Sequence, residues 1–195
     1  KLTGTSDSGE KINLTAVTGT DGKATFQNVP IGSGYVLSEV NTPDYYIVPD
    51  NQTAAIEWNK VTNKSFYNEL KKGRLTITKT AEDGFKEGFT FKLAGRADNG
   101  KWVKFIASTD ENGKVTFEDI PIGSNYQVYE IHTPGYYVVP DTQDVVIEWN
   151  KVVNCSFTND LKKGSLTVTK TAEDGLKEGF TFRLTGTADN GQSVN

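Results

Sequence analysis

Among its 195 residues the chain has a single cysteine and a single histidine. One cysteine excludes a disulfide framework within the chain and any multi-cysteine zinc site. One histidine excludes a multi-histidine metal site and leaves one candidate for imidazole acid–base work. No apolar run reaches membrane-spanning length, so no membrane insertion is expected. Charge of one sign is also scarce: the formal net charge is −4, too small a field to point to nucleic acid or anionic lipid. No signal peptide opens the sequence, so any export signal is expected to lie outside these residues. What is present is 35% hydrophobic and 24% charged residues, the balance of a chain that builds small cores. The 19 glycines, with frequent Thr, Val and Tyr, point to short strands and tight turns.

The sequence repeats itself at a fixed offset of 91 residues. G-R-L-T-I-T-K-T-A-E-D-G-F-K-E-G-F-T-F from Gly73 and G-S-L-T-V-T-K-T-A-E-D-G-L-K-E-G-F-T-F from Gly164 match at 16 of 19 positions. The same offset relates E-W-N-K-V at Glu57 to Glu148, and P-I-G-S at Pro30 to Pro121. Such similarity marks tandem copies of one unit. Lys71-Lys72-Gly73 and Lys162-Lys163-Gly164 read as junctions. The expected division is a unit at 1–72 lacking its first strand, a complete unit at 73–163, and the opening strands of a further unit at 164–195.

Within a unit the pattern is all-β. Leu75 and Ile77, Phe89, Phe91 and Leu93, Val115 and Phe117, Tyr126 and Val128, Val145 and Ile147, and Cys155 and Phe157 each alternate with other residues at a period of two. Asn99-Gly100 and Asn112-Gly113 suit tight turns. Seven or so short strands in 91 residues predict a two-sheet sandwich.

Three strands carry the alternation one step too far. Leu75-Ile77 leads to Lys79, Tyr126-Val128 to Glu130, and Cys155-Phe157 to Asn159. If the apolar members face the core, these polar residues face it too. The first unit repeats the pattern at Tyr35-Leu37-Glu39 and Phe66-Asn68, and the third piece at Leu166-Val168-Lys170. Burial lowers a lysine pKa and raises a glutamate pKa, so both groups can become neutral. A neutral ε-amine is a nucleophile, a carboxamide is an electrophile, and a protonated carboxyl can relay protons between them. Loss of ammonia would leave a Lys–Asn amide crosslink. The fold would supply the high effective molarity that a poor leaving group needs.

Structural alternatives stand beside each signal. Lys79 can snorkel to water, and Glu130 can be a surface carboxylate. Asn154 and Asn63 are rival acceptors to Asn159 and Asn68, which strand parity favours. Trp58 and Trp149 suit core or rim packing, and Tyr45-Tyr46 and Tyr136-Tyr137 packing or corners. Cys155 suits a buried inert thiol. His132 lacks a paired nucleophile. Asp21-Gly22 and Asp83-Gly84 suit turns, without the dense oxygen-ligand loop of a calcium site.

The segments from Tyr126 (Y-Q-V-Y-E-I-H-T-P-G-Y-Y) and Tyr35 (Y-V-L-S-E-V-N-T-P-D-Y-Y) resemble the Tyr-x-x-x-Glu then Pro-Gly-Tyr signature of Cna B-type repeats. These are the prealbumin-like (SpaA-like) sandwiches of Gram-positive surface adhesins and pilins. L-T-I-T-K-T resembles their opening strand, and S-F-T-N at Ser156 and S-F-Y-N at Ser65 their closing one. Asp44 departs from the family's glycine, in a turn outside the chemistry. The resemblance implies an all-β chain of tandem prealbumin-like (inverse immunoglobulin-like) sandwiches. It also implies a self-formed isopeptide bond from Lys79 to Asn159 with Glu130 catalytic. No cofactor is expected, and no residue is assigned as a metal ligand.

The expected role is a structural stalk at the cell surface or wall. It would be no enzyme beyond its own single-turnover crosslinking, and its partners would be neighbouring repeat units. A ligand-binding adhesin module is the alternative. The two end pieces are complementary: 1–72 carries Glu39 and Asn68, and 164–195 carries Lys170. The expectation is head-to-tail self-association, with 164–195 of one molecule inserting into 1–72 of the next and Lys170 meeting Asn68 beside Glu39.

Overall fold

A computed structural model describes residues 1–195, which divide into two compact units, Lys1–Lys72 and Gly73–Asn195. The chain contains no helix.

The first unit has strands β1 (Leu2–Thr5), β2 (Lys11–Leu14), β3 (Gly32–Leu37) and β4 (Gln52–Ile56). They form one antiparallel sheet in the order β2-β1-β3-β4. Its core is small: Leu2, Ile12, Tyr35 and Ala54, with Phe26, Val29, Leu37 and Ile56 packed against them.

The second unit has β5 (Lys72–Ala81), β6 (Thr90–Arg96), β7 (Trp102–Ser108), β8 (Lys114–Pro121), β9 (Gly123–Ile131), β10 (Gln143–Ile147) and β11 (Val152–Asn159). A hairpin of β12 (Gly186–Thr187) and β13 (Ser193–Val194) follows. One sheet runs β10-β9-β6-β7 and the other β11-β5-β8. A shared core joins them: Leu75, Ile77, Phe117 and Phe157 from one sheet and Phe91, Leu93, Tyr126 and Val128 from the other are buried together. Each such side chain stabilises the fold by about 1.5–3 kcal/mol relative to exposure. The period-two alternation is what allows one face of each strand to be apolar. At Gly95 the two central strands approach closely, since a Cβ there would lie 2.1 Å from the Asn125 carbonyl oxygen.

The first and last strands of this sandwich, β5 and β11, are parallel neighbours, with Phe157 opposite Lys79 and Asn159 opposite Ala81. Their counterparts elsewhere in the chain behave differently. Residues 61–68 of the first unit and 164–172 of the third piece take up no strand, and Leu166 and Val168 are exposed. An extended segment becomes a strand only when a neighbour satisfies its backbone groups, and neither segment has one. Strand β7 is an addition to the sequence-based pattern. Its half-buried Val103, Phe105 and Ala107 pack on the core from the sheet edge. Trp58 is 83% exposed and Trp149 51%, which excludes the core and leaves the rim from the packing expectation. Each lies beside a positive-φ asparagine, Asn59 or Asn150.

Candidate functional site

Alternation along β5, β9 and β11 carries three polar side chains into the apolar core of the second unit. Lys79 and Asn159 are 0% exposed and Glu130 is 5% exposed. Lys79 and Asn159 come from the parallel pair, while Glu130 comes from the facing sheet, where it pairs with Phe91. The backbone around Lys79 is held by its N–H, which donates to the Gly113 carbonyl at 2.7 Å. Gly113 has φ 73° and no room for a side chain: a Cβ would lie 2.5 Å from the Lys79 carbonyl oxygen.

Glu130 and Asn159 meet directly, and the Glu130 charge acts on the Lys79 amine without a hydrogen bond between them. Asn159 Nδ2 donates to Glu130 Oε1 at 3.0 Å. The hydroxyl of Thr133 donates to the same oxygen at 2.7 Å. Lys79 Nζ lies 3.9 Å from the centroid of the Phe89 ring and hydrogen-bonds the Thr80 carbonyl. Burial pushes the Lys79 amine below the ordinary lysine pKa, against the opposing pull of the Glu130 and Asp83 charges. Two buried atoms have no hydrogen-bond partner: Glu130 Oε2 and Asn159 Oδ1. Each such orphan is costly, by about 1–3 kcal/mol for a neutral group and more for a charged one. They are also the atoms a reaction would use, one to carry a proton and the other to become the oxyanion. Over the centre lies a shallow depression lined by Phe85, Gly88, Phe89, Glu130, Ile131, His132 and Pro134.

The first unit repeats half of this arrangement. Asn68 Nδ2 donates to Glu39 Oε1 at 2.8 Å, and the Thr42 hydroxyl donates to that oxygen at 2.9 Å. Glu39 and Asn68 are only half-buried. Tyr35 and Tyr126 anchor the glutamate strands identically, each hydroxyl donating at 2.8 Å to the carbonyl of Pro30 or Pro121. In the third piece Lys170 Nζ lies 4.2 Å from the Phe180 ring centroid, the contact Lys79 makes with Phe89, displaced by one repeat.

The rival asparagines Asn154 and Asn63 are exposed. Cys155 is buried, and burial pushes its thiol pKa up. His132 sits at φ 60° in the loop after β9. Tyr137 is buried against Phe89. Thr133 and Thr42 were not singled out from the sequence. Their signal was the threonine three residues after the glutamate in both E-I-H-T-P and E-V-N-T-P.

A family model described as "SpaA: Prealbumin-like fold domain" matches residues 1–70 and 73–161. No curated protein sequence matches the chain. Among solved structures, the Bacillus anthracis TIE protein is similar at 24% identity and a TM-score of 0.64, over 97% of this chain and 36% of that one. The full-length major pilin SpaD from Corynebacterium diphtheriae has 24% identity and a TM-score of 0.40, over 46% of this chain and 30% of that one. GBS52, a minor pilin of Streptococcus agalactiae, has 22% identity and a TM-score of 0.42, over 80% of this chain and 71% of that one. The chain thus spans about a third of the length of the first two. The likeness to the TIE protein is one of fold.

Proposed function

The chain belongs to the SpaA family of prealbumin-like fold domains, and on that premise we propose that it is a structural repeat region of a Gram-positive surface adhesin or pilin-like protein, stiffened by a self-formed Lys79–Asn159 isopeptide bond. The observation that carries this reading is the burial of Lys79, Glu130 and Asn159 together in one apolar core. Breaking or leaving a buried charge uncompensated costs several kcal/mol. A crosslink removes that cost by making the amine an amide.

The residues support a balanced reaction. The Lys79 ammonium gives a proton to Glu130, and the neutral Nζ attacks Asn159 Cγ. Rotation of the carboxamide brings Oδ1 to the protonated Glu130, which stabilises the developing oxyanion. Glu130 then delivers the proton to the departing nitrogen. The Cγ–Nδ2 bond breaks, the Nζ–Cγ bond forms, and ammonia leaves with the second ammonium proton. Thr133 holds the carboxylate and is a positioning residue. No external substrate turns over, so the chain is not an enzyme in the ordinary sense.

The mechanical consequence follows from the parallel pair. Tension arriving at Lys72 would run along β5 to Lys79, cross the new bond and leave at Asn159. The sheets between those residues would bear none of it. The test is intact mass under denaturing conditions: the native chain should be lighter than its sequence by one ammonia per bond, and Glu130→Ala should lack that loss. A native mass equal to the sequence mass overturns the reading.

Head-to-tail linkage is part of the proposal. Glu39 and Asn68 are hydrogen-bonded as Glu130 and Asn159 are, and Lys170 keeps the aromatic contact of Lys79. Lys170 of one molecule would meet Asn68 of the next. Denaturing electrophoresis should give a ladder that vanishes in Lys170→Ala, and a single band rules the linkage out.

A ligand-binding adhesin module is the second reading, favoured by the exposed Trp58, Trp102 and Trp149, since exposed indoles stack on sugars. A glycan-array and matrix-protein screen tests it, and no binding above background rejects it.

A further inference from the structure

Beyond the Lys79–Glu130–Asn159 centre, one cluster of polar side chains makes contacts that crosslinking does not require. Glu82 and Asp83 follow directly on β5, at the end of the sandwich where β11 finishes: Glu82 N–H donates to the Asn159 carbonyl at 2.9 Å. The Glu82 carboxylate accepts the Leu161 N–H at 3.0 Å and pairs with the Lys163 ammonium. It therefore grips the segment that leads into the next repeat. The Asp83 carboxylate accepts the Tyr137 hydroxyl at 2.9 and 3.0 Å and Asn190 Nδ2 at 3.0 Å. Burial pushes Asp83 up, but the hydrogen bonds from Asn190 and Tyr137 prevail and hold it below the usual aspartate range.

Asn190 belongs to the tight turn between β12 and β13, closed by Gly191 N–H on the Ala188 carbonyl at 2.8 Å. One repeat earlier the same turn is Ala97–Gly100, closed by Gly100 N–H on the Ala97 carbonyl, also at 2.8 Å. In the complete sandwich that turn lies far from Asp83. A Cβ on Gly123 would touch Ala97 at 3.1 Å, and Gly123 pairs with Ile147. A Cβ on Gly73 would in turn lie 2.4 Å from the Glu148 carbonyl oxygen and 3.0 Å from Ile147. The turn therefore sits at the leading end of a repeat, beside the start of β5, and Glu82–Asp83 sits at the trailing end.

We infer that Glu82, Asp83 and Tyr137 form a socket at the trailing end of one repeat for the Asn-Gly turn at the leading end of the next, so that successive repeats are held at a set angle. The partner is the following copy of the same unit in the same chain. Recognition is by a charge-assisted hydrogen bond from the turn's carboxamide to a carboxylate already oriented by a buried tyrosine. Tyr137 fixes Asp83 from the sandwich side and Asn190 reads it from the other. Glu82 meanwhile ties down the lysine junction, so the socket and the linker act on the same joint. Glu173–Asp174 repeats the acidic pair one unit later. A stalk built this way transmits bending load across its junctions as well as tension through its sandwiches.

The inference rests on reading residues 164–195 as a further repeat and is independent of the isopeptide bond. The experiment is backbone ¹⁵N relaxation on the full 195-residue chain. In the native chain the amides of 188–192 should be as ordered as those of 73–163, with order parameters near about 0.85. Asn190→Asp sets a second carboxylate against Asp83 while its own oxygen can still accept the Gln192 N–H that closes the turn. In that variant the amides of 186–194 should fall below about 0.6, with 73–163 unchanged. Asn190→Ala should give the same change without the repulsion. Native amides already below about 0.6, or an Asn190→Asp chain as ordered as native, overturns the socket. Intact mass on the same samples reads the crosslink separately, so failure of one reading does not mask failure of the other.

Discussion

Residues 1–72 and 73–163 carry the same carboxylate–amide geometry in different surroundings. Glu39 accepts from Asn68 and Thr42 just as Glu130 accepts from Asn159 and Thr133, within a few tenths of an ångström. Glu130 and Asn159 are buried, whereas Glu39 and Asn68 are half-exposed. The glutamate is placed in both units by a strand anchored through its tyrosine and by the loop that brings the threonine back, and the asparagine reaches it from 29 residues away. Burial is set from a distance, by the parallel strand that supplies the lysine and covers the closing segment. Residues 61–68 form no strand in this structure, and Glu39 and Asn68 are half-buried.

The largest expected effect breaks this difference outright. Lys79→Ala should abolish the ammonia loss assigned to residues 73–163 and remove the closure of a loop from 79 to 159. By chain-entropy reasoning that closure is worth about 4 kcal/mol. Urea unfolding followed by a probe within 73–163 should show the loss. Glu39→Ala should leave the monomer mass, apart from the side-chain change, as it was. Equal stability of native and Lys79→Ala contradicts the crosslink.

A smaller effect separates a buried amine from an amide. In Asn159→Ala, Lys79 remains an amine whose pKa burial lowers. The unfolded chain then binds more protons than the folded one. Stability of the variant should rise with pH from neutral toward the ordinary lysine value of about 10.4, and fall as pH drops. The native chain, with Lys79 acylated, should lack that contribution. Unfolding midpoints measured at several pH values decide it: a variant no steeper than native would mean the amine is not buried.

Positioning should matter less. Thr133→Val removes one hydrogen bond from Glu130, worth about 1 kcal/mol, so crosslinking should slow by about fivefold and still reach completion. Mass spectra of freshly synthesised chains over time would report it, and an unchanged rate would reduce Thr133 to packing. The smallest effect is expected from Asn154→Ala. Its side chain is exposed on the other face of β11, so the ammonia loss should persist in full. Disappearance of that loss would transfer the acceptor role to Asn154.

Much of this was legible without coordinates. The 91-residue repeat, the alternation on β5, β9 and β11, and the polar residue ending each apolar run identify Lys79, Glu130 and Asn159 as inward-facing, because side-chain parity in a strand is local. Thr133 was hidden, since its role depends on a loop folding back onto Glu130. Strand β7 was hidden because only one of its faces packs, and only partly. For Trp58 and Trp149 the sequence did not separate core from rim, because side-chain size alone does not, and their exposure excludes the core.

The sequence by itself determined the repeat, the β class and which side chains share a face, since all three depend on spacing along one strand. Only the tertiary structure decided that β5 and β11 lie side by side in parallel, that Glu130 reaches Asn159 from the opposite sheet, and that Asp83 meets Asn190. Those contacts join residues 29 to 107 positions apart. They depend on how sheets pack and how loops close, which no local period encodes.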